Sequence, residues 1–294
     1  MTADPLTSWL KLIAPHNGHD VAEAIERLPL RPVYSDLNDG GDPRPFCAEW
    51  SLRSGASGID TARVMVAVDT QQCKRGLLNQ TLESLSGTPE RLRSLAEALL
   101  ADRPDLDLLL GFALAEATPR AKLYVLRPTL RPIAGFEQLS ADILRLAGVD
   151  PNWTREQIEM ADQAPAFFAL DLRADGSSSG KLYFSFDHES KVESLLERLG
   201  AEPLCQKLHQ ITGHVSDNPN GRLVVTTRAS SASTLDVTLH AHLQALPSLS
   251  PALEVAWANL KQRAQDHRLR PLKYSYASWL HGPSPAESLY YTFG

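Results

Sequence analysis

The feature that most constrains this chain is a repeated pair of strand signatures. Phe112-Ala-Leu114 precedes Lys122-Leu-Tyr124-Val125, and Phe168-Ala-Leu170 precedes Lys181-Leu-Tyr183-Phe184. The copies are offset by 56 and 59 residues, a spacing expected of tandem structural units. In each copy the two runs flank a turn rich in Thr, Pro, Ser or Gly, so each copy reads as strand, turn, strand. The same arrangement recurs along the chain. Strands are predicted over Phe46–Arg53 and Thr61–Thr70, Leu108–Ala117 and Ala121–Leu126, and Phe167–Leu172 and Lys181–Phe186. Two more pairs follow at Arg222–Thr227 and Leu235–Leu243, and at Leu272–Trp279 and Ser288–Phe293.

Helices separate these pairs. Thr88-Pro89 supplies a cap and a first-turn proline ahead of Leu92, Leu95 and Leu99. Phe136, Leu139, Ile143 and Leu146 keep one helical face, which Gly148 can terminate. Val192, Leu195, Leu196 and Leu199 make a helix ending at Gly200, and Ser250-Pro251 opens another with Leu253, Trp257 and Leu260. The first thirty residues also carry helical spacing, through Trp9, Leu10, Ile13, Val21, Ile25 and Leu28, and 36–45 reads as a loop.

Hairpins separated by helices disfavour a doubly wound parallel sheet. Ten antiparallel strands ringed by helices can close into a barrel, an α+β fold with no free edge and a lumen wide enough for a ligand. Two stacked sheets flanked by helices satisfy the same pattern. The 294 residues are read as a single domain spanning 1–294, with an N-terminal helical segment over 1–30.

Composition narrows the function classes. With 29 basic and 35 acidic side chains the net charge is −6, and no block of Lys and Arg offers a footprint for nucleic acid or an anionic membrane. No apolar run reaches the roughly 18 residues of a membrane span. The start has no signal-peptide pattern, so a cytoplasmic location is expected. Cys47, Cys73 and Cys205 fit neither a disulfide framework nor a zinc site, and no metal site is assigned. There is no G-x-S-x-G, P-loop or G-x-G-x-x-G motif.

Strand alternation then sorts side chains into two faces. If helices cover the outer face, that face is expected to be apolar, and Leu123, Val125, Leu182, Phe184, Val237 and Leu239 belong to it. The opposite face collects Arg63, Lys122, Lys181, Tyr124, Tyr183, His240 and Tyr291, with one carboxylate, Glu49. Buried cations without carboxylate partners call for a bound polyanion such as a diphosphate. Tyrosine rings can add hydrogen bonds and shield a carbocation. A sheet with its polar side in water produces the same alternation.

Helix-covered hairpins with Lys-x-Tyr on inner strands resemble the ABBA-type aromatic prenyltransferases, whose fold is a ten-stranded antiparallel barrel ringed by helices. Pro45-Phe-Cys-Ala-Glu49-Trp-Ser followed by Ala62-Arg63-Val64 resembles the early strands of the fungal indole branch. The length and the last strand, Leu289-Tyr-Tyr-Thr-Phe293, are more similar to the cyanobactin-type peptide prenyltransferases. Ser179 stands where the indole branch has an arginine, two positions before Lys181.

The resemblance implies transfer of an allylic isoprenoid from its diphosphate to a side chain of a ribosomal, cyclic peptide by a monomeric enzyme. It implies Glu49 as the proton acceptor. Arg63, Lys122 and Lys181 would grip the diphosphate, assisted by Tyr124, Tyr183 and Tyr291. Mg2+ is expected with the diphosphate. Val225 falls near a position that sets donor length, and its small side chain favours geranyl over dimethylallyl. His240 and Tyr274 would border the pocket. A small-molecule aromatic or indole prenyltransferase, and a non-catalytic ligand-binding barrel, are the competing readings. Two further signals are set aside. Asp36, Asp39 and Asp42 sit among Gly and Pro, which suits a solvated loop, and His240-Ala-His242 lacks an evident third metal ligand.

Overall fold

The computed structural model describes residues 49–55, 58–68, 90, 94, 98–99, 106–113, 120–126, 135–146, 148–172, 178–216, 223–230, 236–263, 269–279 and 286–293. The predicted N-terminal helix, the 36–45 loop, Cys47 and Cys73 lie outside them. Two compact units result. The described residues of 61–134 and 169–178 form one, with Glu49; those of 50–60, 135–168 and 179–294 form the other.

In the first unit β2 (Gly58–Val68), from Thr61 onward, β3 (Asp107–Ala113) and β4 (Arg120–Leu126) run antiparallel, with Val66 opposite Leu110 and Leu110 opposite Leu123. Leu123 and Val125 are fully buried on one face of β4; Lys122 and Tyr124 occupy the other, as alternation requires.

In the second unit β6 (Ser178–Phe186), β7 (Leu223–Ser230), β8 (Asp236–His242), β9 (Leu269–Trp279), β10 (Ala286–Phe293) and β1 (Glu49–Gly55) are neighbours in that order, each antiparallel to the next. β5 (Phe167–Leu172) begins in this unit and ends in the other. Between β9 and β10 the register shifts at Tyr290/Tyr291, so that Tyr290 faces Lys273 and Tyr291 faces Pro271.

Among the described residues five α-helices belong to this unit: α1 (Phe136–Leu146), α2 (Pro151–Ala161), α3 (Glu189–Arg198), α4 (Glu202–Ile211) and α5 (Pro251–Arg263). The expected stops are present. Gly148 and Gly200 follow α1 and α3 at φ +83° and +66°, a left-handed conformation that glycine adopts without a Cβ penalty. The sequence pattern did not assign α2 or α4. The buried face of α2 is Thr154, Gln157 and Ala161, so apolar periodicity is missing there; only its cap was legible, with Asp150 accepting the Asn152 N–H and Pro151 opening the helix. In α4, Leu204, Leu208 and Ile211 do keep an apolar stripe, and all are buried.

The helices cover one face of the sheet. A Cβ on Gly180 would lie 2.6 Å from the Leu144 side chain and 2.9 Å from that of Val149, so α1 and the residues after it approach β6 closely and a larger residue there would displace them. Phe136 of α1 packs on Phe168 at 5.5 Å between ring centroids, and Trp257 of α5 on Tyr291 at 5.6 Å. Lys207 of α4 lies over the rings of Tyr274 and Tyr276. Beneath these helices Leu182, Phe184, Val225, Val237, Leu239 and Leu289 are completely buried, each adding about 1.5–3 kcal/mol of hydrophobic stabilisation where its whole side chain is removed from water.

Candidate active site

The face of the second sheet turned away from the helices is read from the register. Lys181 lies opposite Arg228, which lies opposite Asp236. Tyr183 lies opposite Thr226 and Thr226 opposite Thr238. His240 faces Ser275, Ser275 faces Ser288, and Ser288 faces Arg53. His242 faces Lys273 and Lys273 faces Tyr290. Along β8, Val237, Leu239 and Ala241 are buried under the helices, whereas Thr238, His240 and His242 are half-buried on this opposite face.

An aromatic row crosses it. Phe167 stacks on Tyr183 with centroids 4.1 Å apart and planes 18° apart. Tyr183 lies 6.1 Å from the His240 ring, and His240 lies 6.3 Å from Tyr290. The Lys273 ammonium sits 4.3 Å from the Tyr290 centroid, a cation held on a π face. Next to this row is a charged cluster. Arg228 Nη1 lies 3.3 Å from Asp236 Oδ2, and Arg228 Nε donates to Ser179 Oγ at 3.2 Å. Burial pushes the Asp236 carboxyl above its ordinary value, although the charges of Arg228, Lys181 and Arg53 all act to lower it.

In the first unit Lys122 Nζ lies 3.5 Å from Asp171 Oδ2 and 5.7 Å from the Tyr124 centroid. Glu49 opens β1, and Arg63 lies in β2 opposite Ala113; the side chains of both lie outside the described residues.

Three expected pocket residues sit elsewhere. Tyr291 lies under α5 against Trp257 and is completely buried, so it does not share the face of Tyr183; its neighbour Tyr290 does. Tyr274 lies under α4. Its hydroxyl donates to Glu287 Oε1 at 2.7 Å, and burial, first, and then the Glu287 carboxylate push its pKa far up. Val225 is opposite Phe184 and Leu239, all completely buried on the helix-covered face. Val225 and Tyr274 are implied by the resemblance alone, whereas Tyr291 follows from expecting a wholly apolar helix-covered face, and that expectation fails around Glu287. Besides Tyr274, this carboxylate accepts the Ser250 backbone N–H at 2.8 Å and pairs with Lys207 at 3.3 Å. Burial pushes Glu287 up, but the hydrogen bonds from Tyr274 and Ser250 and the charge of Lys207 outweigh it and hold the carboxyl below its ordinary value.

The expectation that Glu49 is the sole carboxylate on the cationic face also needs correction, because Asp171 pairs with Lys122 and Asp236 with Arg228. Sequence reasoning missed Arg228 because the strand was predicted to stop at Thr227, one residue short of it. It missed Asp171 although a carboxylate inside Phe-Phe-Ala-Leu-Asp-Leu was a usable signal. Among the described residues no group of His, Cys, Asp and Glu side chains is arranged to hold a metal ion. Asp171 and Asp236 are each paired with a cation. Among the described residues no helix is long and apolar enough to cross a membrane.

No family model matches the sequence, and no curated protein matches it. Solved structures do. The chain is similar to 6-dimethylallyltryptophan synthase from Micromonospora olivasterospora in complex with DMASPP and Trp, at 15% identity and a TM-score of 0.62 over 97% of this chain and 94% of that one. It is similar to 5-dimethylallyl tryptophan synthase from Streptomyces coelicolor, also with DMASPP and Trp, at 15% identity and a TM-score of 0.58 over 97% of this chain and 91% of that one. AnaPT from Neosartorya fischeri matches at 13% identity and a TM-score of 0.51 over 99% of this chain and 88% of that one. At these identities the likeness is one of fold: an antiparallel sheet with helices of the kind found in ABBA-type aromatic prenyltransferases.

Proposed function

We propose that this protein is a prenyltransferase that moves a dimethylallyl group from its diphosphate to a small aromatic acceptor, of which indoles are the first class to test. The observation that carries this reading is the aromatic row Phe167, Tyr183, His240 and Tyr290 lying beside the cations Lys181 and Arg228 on one sheet face. A departing diphosphate needs cations where negative charge develops, and an allylic cation is stabilised over π faces and protected by exclusion of water. Lys181 is assigned to the diphosphate, Tyr183 and Tyr290 to shielding, and His240 to the wall between them. On the first unit Lys122 and Tyr124 repeat the Lys-x-Tyr pair and take the same roles, and Arg63 is assigned to the diphosphate. Glu49 is assigned as the base that accepts the acceptor's proton. We further propose that the strands belong to one ten-stranded barrel and a single domain, which the likeness over 97% of the chain supports.

The small-molecule acceptor is preferred over a cyclic peptide. Chain length argued for the peptide branch, but the tryptophan-named structures match over 94% and 91% of their own lengths, so length does not separate the two. The geranyl preference rested on Val225, which lies on the helix-covered face.

The test is incubation with dimethylallyl or geranyl diphosphate and a panel of indoles, phenols and cyclic peptides, read by mass. Prenyl gain on an indole or phenol is expected, with Glu49→Gln lowering kcat at least ~100-fold. Prenyl gain on cyclic peptides alone would overturn the acceptor class, and no transfer to any acceptor would overturn the reading.

A further inference from the structure

Arg228 leaves part of its hydrogen-bonding capacity unused. Its guanidinium carries five N–H donors in a planar fork. Nε is committed to Ser179 and one Nη1 hydrogen to Asp236; no other acceptor among the described residues takes the rest. Its side chain is 16% exposed, so water has limited access to those donors. Two residues earlier on the same face of β7, Thr226 is 2% exposed, and its hydroxyl oxygen has no hydrogen-bond partner among the described residues. Buried polar groups are seldom left in that state, because a donor or acceptor removed from water without a partner is destabilising. Both groups flank the cross-strand positions of Lys181 and Tyr183.

We propose that Arg228 is a phosphate-gripping residue, oriented by Ser179 and charge-balanced by Asp236 until an anion arrives, with the Thr226 hydroxyl completing the contact. This deepens the prenyl-transfer reading and rests on it for the identity of the anion. A guanidinium offers a phosphoryl group two parallel hydrogen bonds, which an ammonium cannot. The arrangement also gives Ser179 a task. An arginine in its place would project from β6, whereas Ser179 accepts a hydrogen bond from an arginine that arrives from the adjacent strand. Asp236 fits the part of a temporary counter-ion, since its burial disfavours the ionised form when its cation is engaged elsewhere.

The experiment is calorimetric titration of the full chain with inorganic diphosphate, alongside thermal unfolding. Arg228→Lys is expected to bind diphosphate about tenfold more weakly, from loss of the bidentate geometry. The double variant Arg228→Met with Asp236→Asn removes both charges together, which spares the fold the cost of a stranded buried ion. It is expected to unfold at a temperature close to wild type and to bind diphosphate at least about tenfold more weakly. A double variant with wild-type affinity would make Arg228 a structural ion-pair partner and overturn the proposal, as would wild-type protein that binds no diphosphate. Arg228-dependent diphosphate binding in a protein that transfers no prenyl group would keep the grip and remove the function proposed above. Prenyl transfer by the double variant with an unchanged KM for the donor would do the reverse.

Discussion

Among the described side chains, each face of the second sheet carries one largely buried carboxylate, and the two behave in opposite ways. Glu287, under the helices, is 8% exposed and is held below its ordinary pKa; Asp236, on the other face, is also 8% exposed and is pushed above it. Burial opposes ionisation in both. The difference lies in the donors. Glu287 receives the Tyr274 hydroxyl, the Ser250 N–H and Lys207, a set that fastens β9, β10, α4 and the start of α5 together. Asp236 receives a single arginine donor at 3.3 Å, and the Nε of that arginine donates to Ser179 instead. A closed polar network is what a structural face can hold, and an incomplete one is what a binding face leaves for a ligand.

Breaking the contrast at its aromatic residues should give the largest effect. Tyr291→Ala removes a fully buried ring from beneath Trp257 and is expected to cost about 4 kcal/mol in urea unfolding. Tyr290→Ala, half-buried on the aromatic row, is expected to cost far less stability while depressing prenyl transfer. Equal stability losses for the two would erase the distinction between the faces. Glu287→Ala comes next, at about 3 kcal/mol, because it strands Lys207, Tyr274 and the Ser250 N–H in a largely dry site. A loss below about 1 kcal/mol would mean that water reaches these groups freely.

The smallest effect is in the pH dependence, where the two carboxylates should act with opposite sign. The folded pKa of Glu287 is lowered from 4.5, so its stabilisation is complete above that value and is lost as pH falls through the folded pKa. That of Asp236 is raised from 3.8, so its contribution is complete below that value and is lost as pH rises through the folded pKa. Urea midpoints between pH 3 and pH 7 should show Glu287→Gln flattening the acid-side fall, and Asp236→Asn removing a decline on the rising side. Identical profiles for the two variants would show that the local donors do not set the titrations.

Much of the fold could be read from the residues. Every described strand overlaps a predicted one, and the faces of β4, β6 and β8 follow the alternation of Lys122-Leu-Tyr, Lys181-Leu-Tyr-Phe and Thr238-Leu-His. Less of the site was legible. β10 reads Leu-Tyr-Tyr and β7 reads Val-Val-Thr-Thr, and tandem like residues carry no phase: either tyrosine of 290 and 291 suits either face. In β9 the resemblance misled, because Tyr274 looks like a lining residue until Lys207 and Glu287 arrive from elsewhere in the chain.

The sequence by itself determined where the strands and the helices α1, α3 and α5 form and which side of the regularly alternating strands is apolar, because those follow from backbone geometry and the spacing of side chains along a single segment. Tertiary structure alone decided the phase of β7, β9 and β10, the placement of Val225, Tyr274 and Tyr291 beneath the helices, and the partners of Asp171, Asp236 and Glu287. Those depend on which groups meet across strands and helices separated by up to 80 residues, as Lys207 and Glu287 are, and the energy that settles them is pairwise desolvation and hydrogen bonding, which no local pattern encodes.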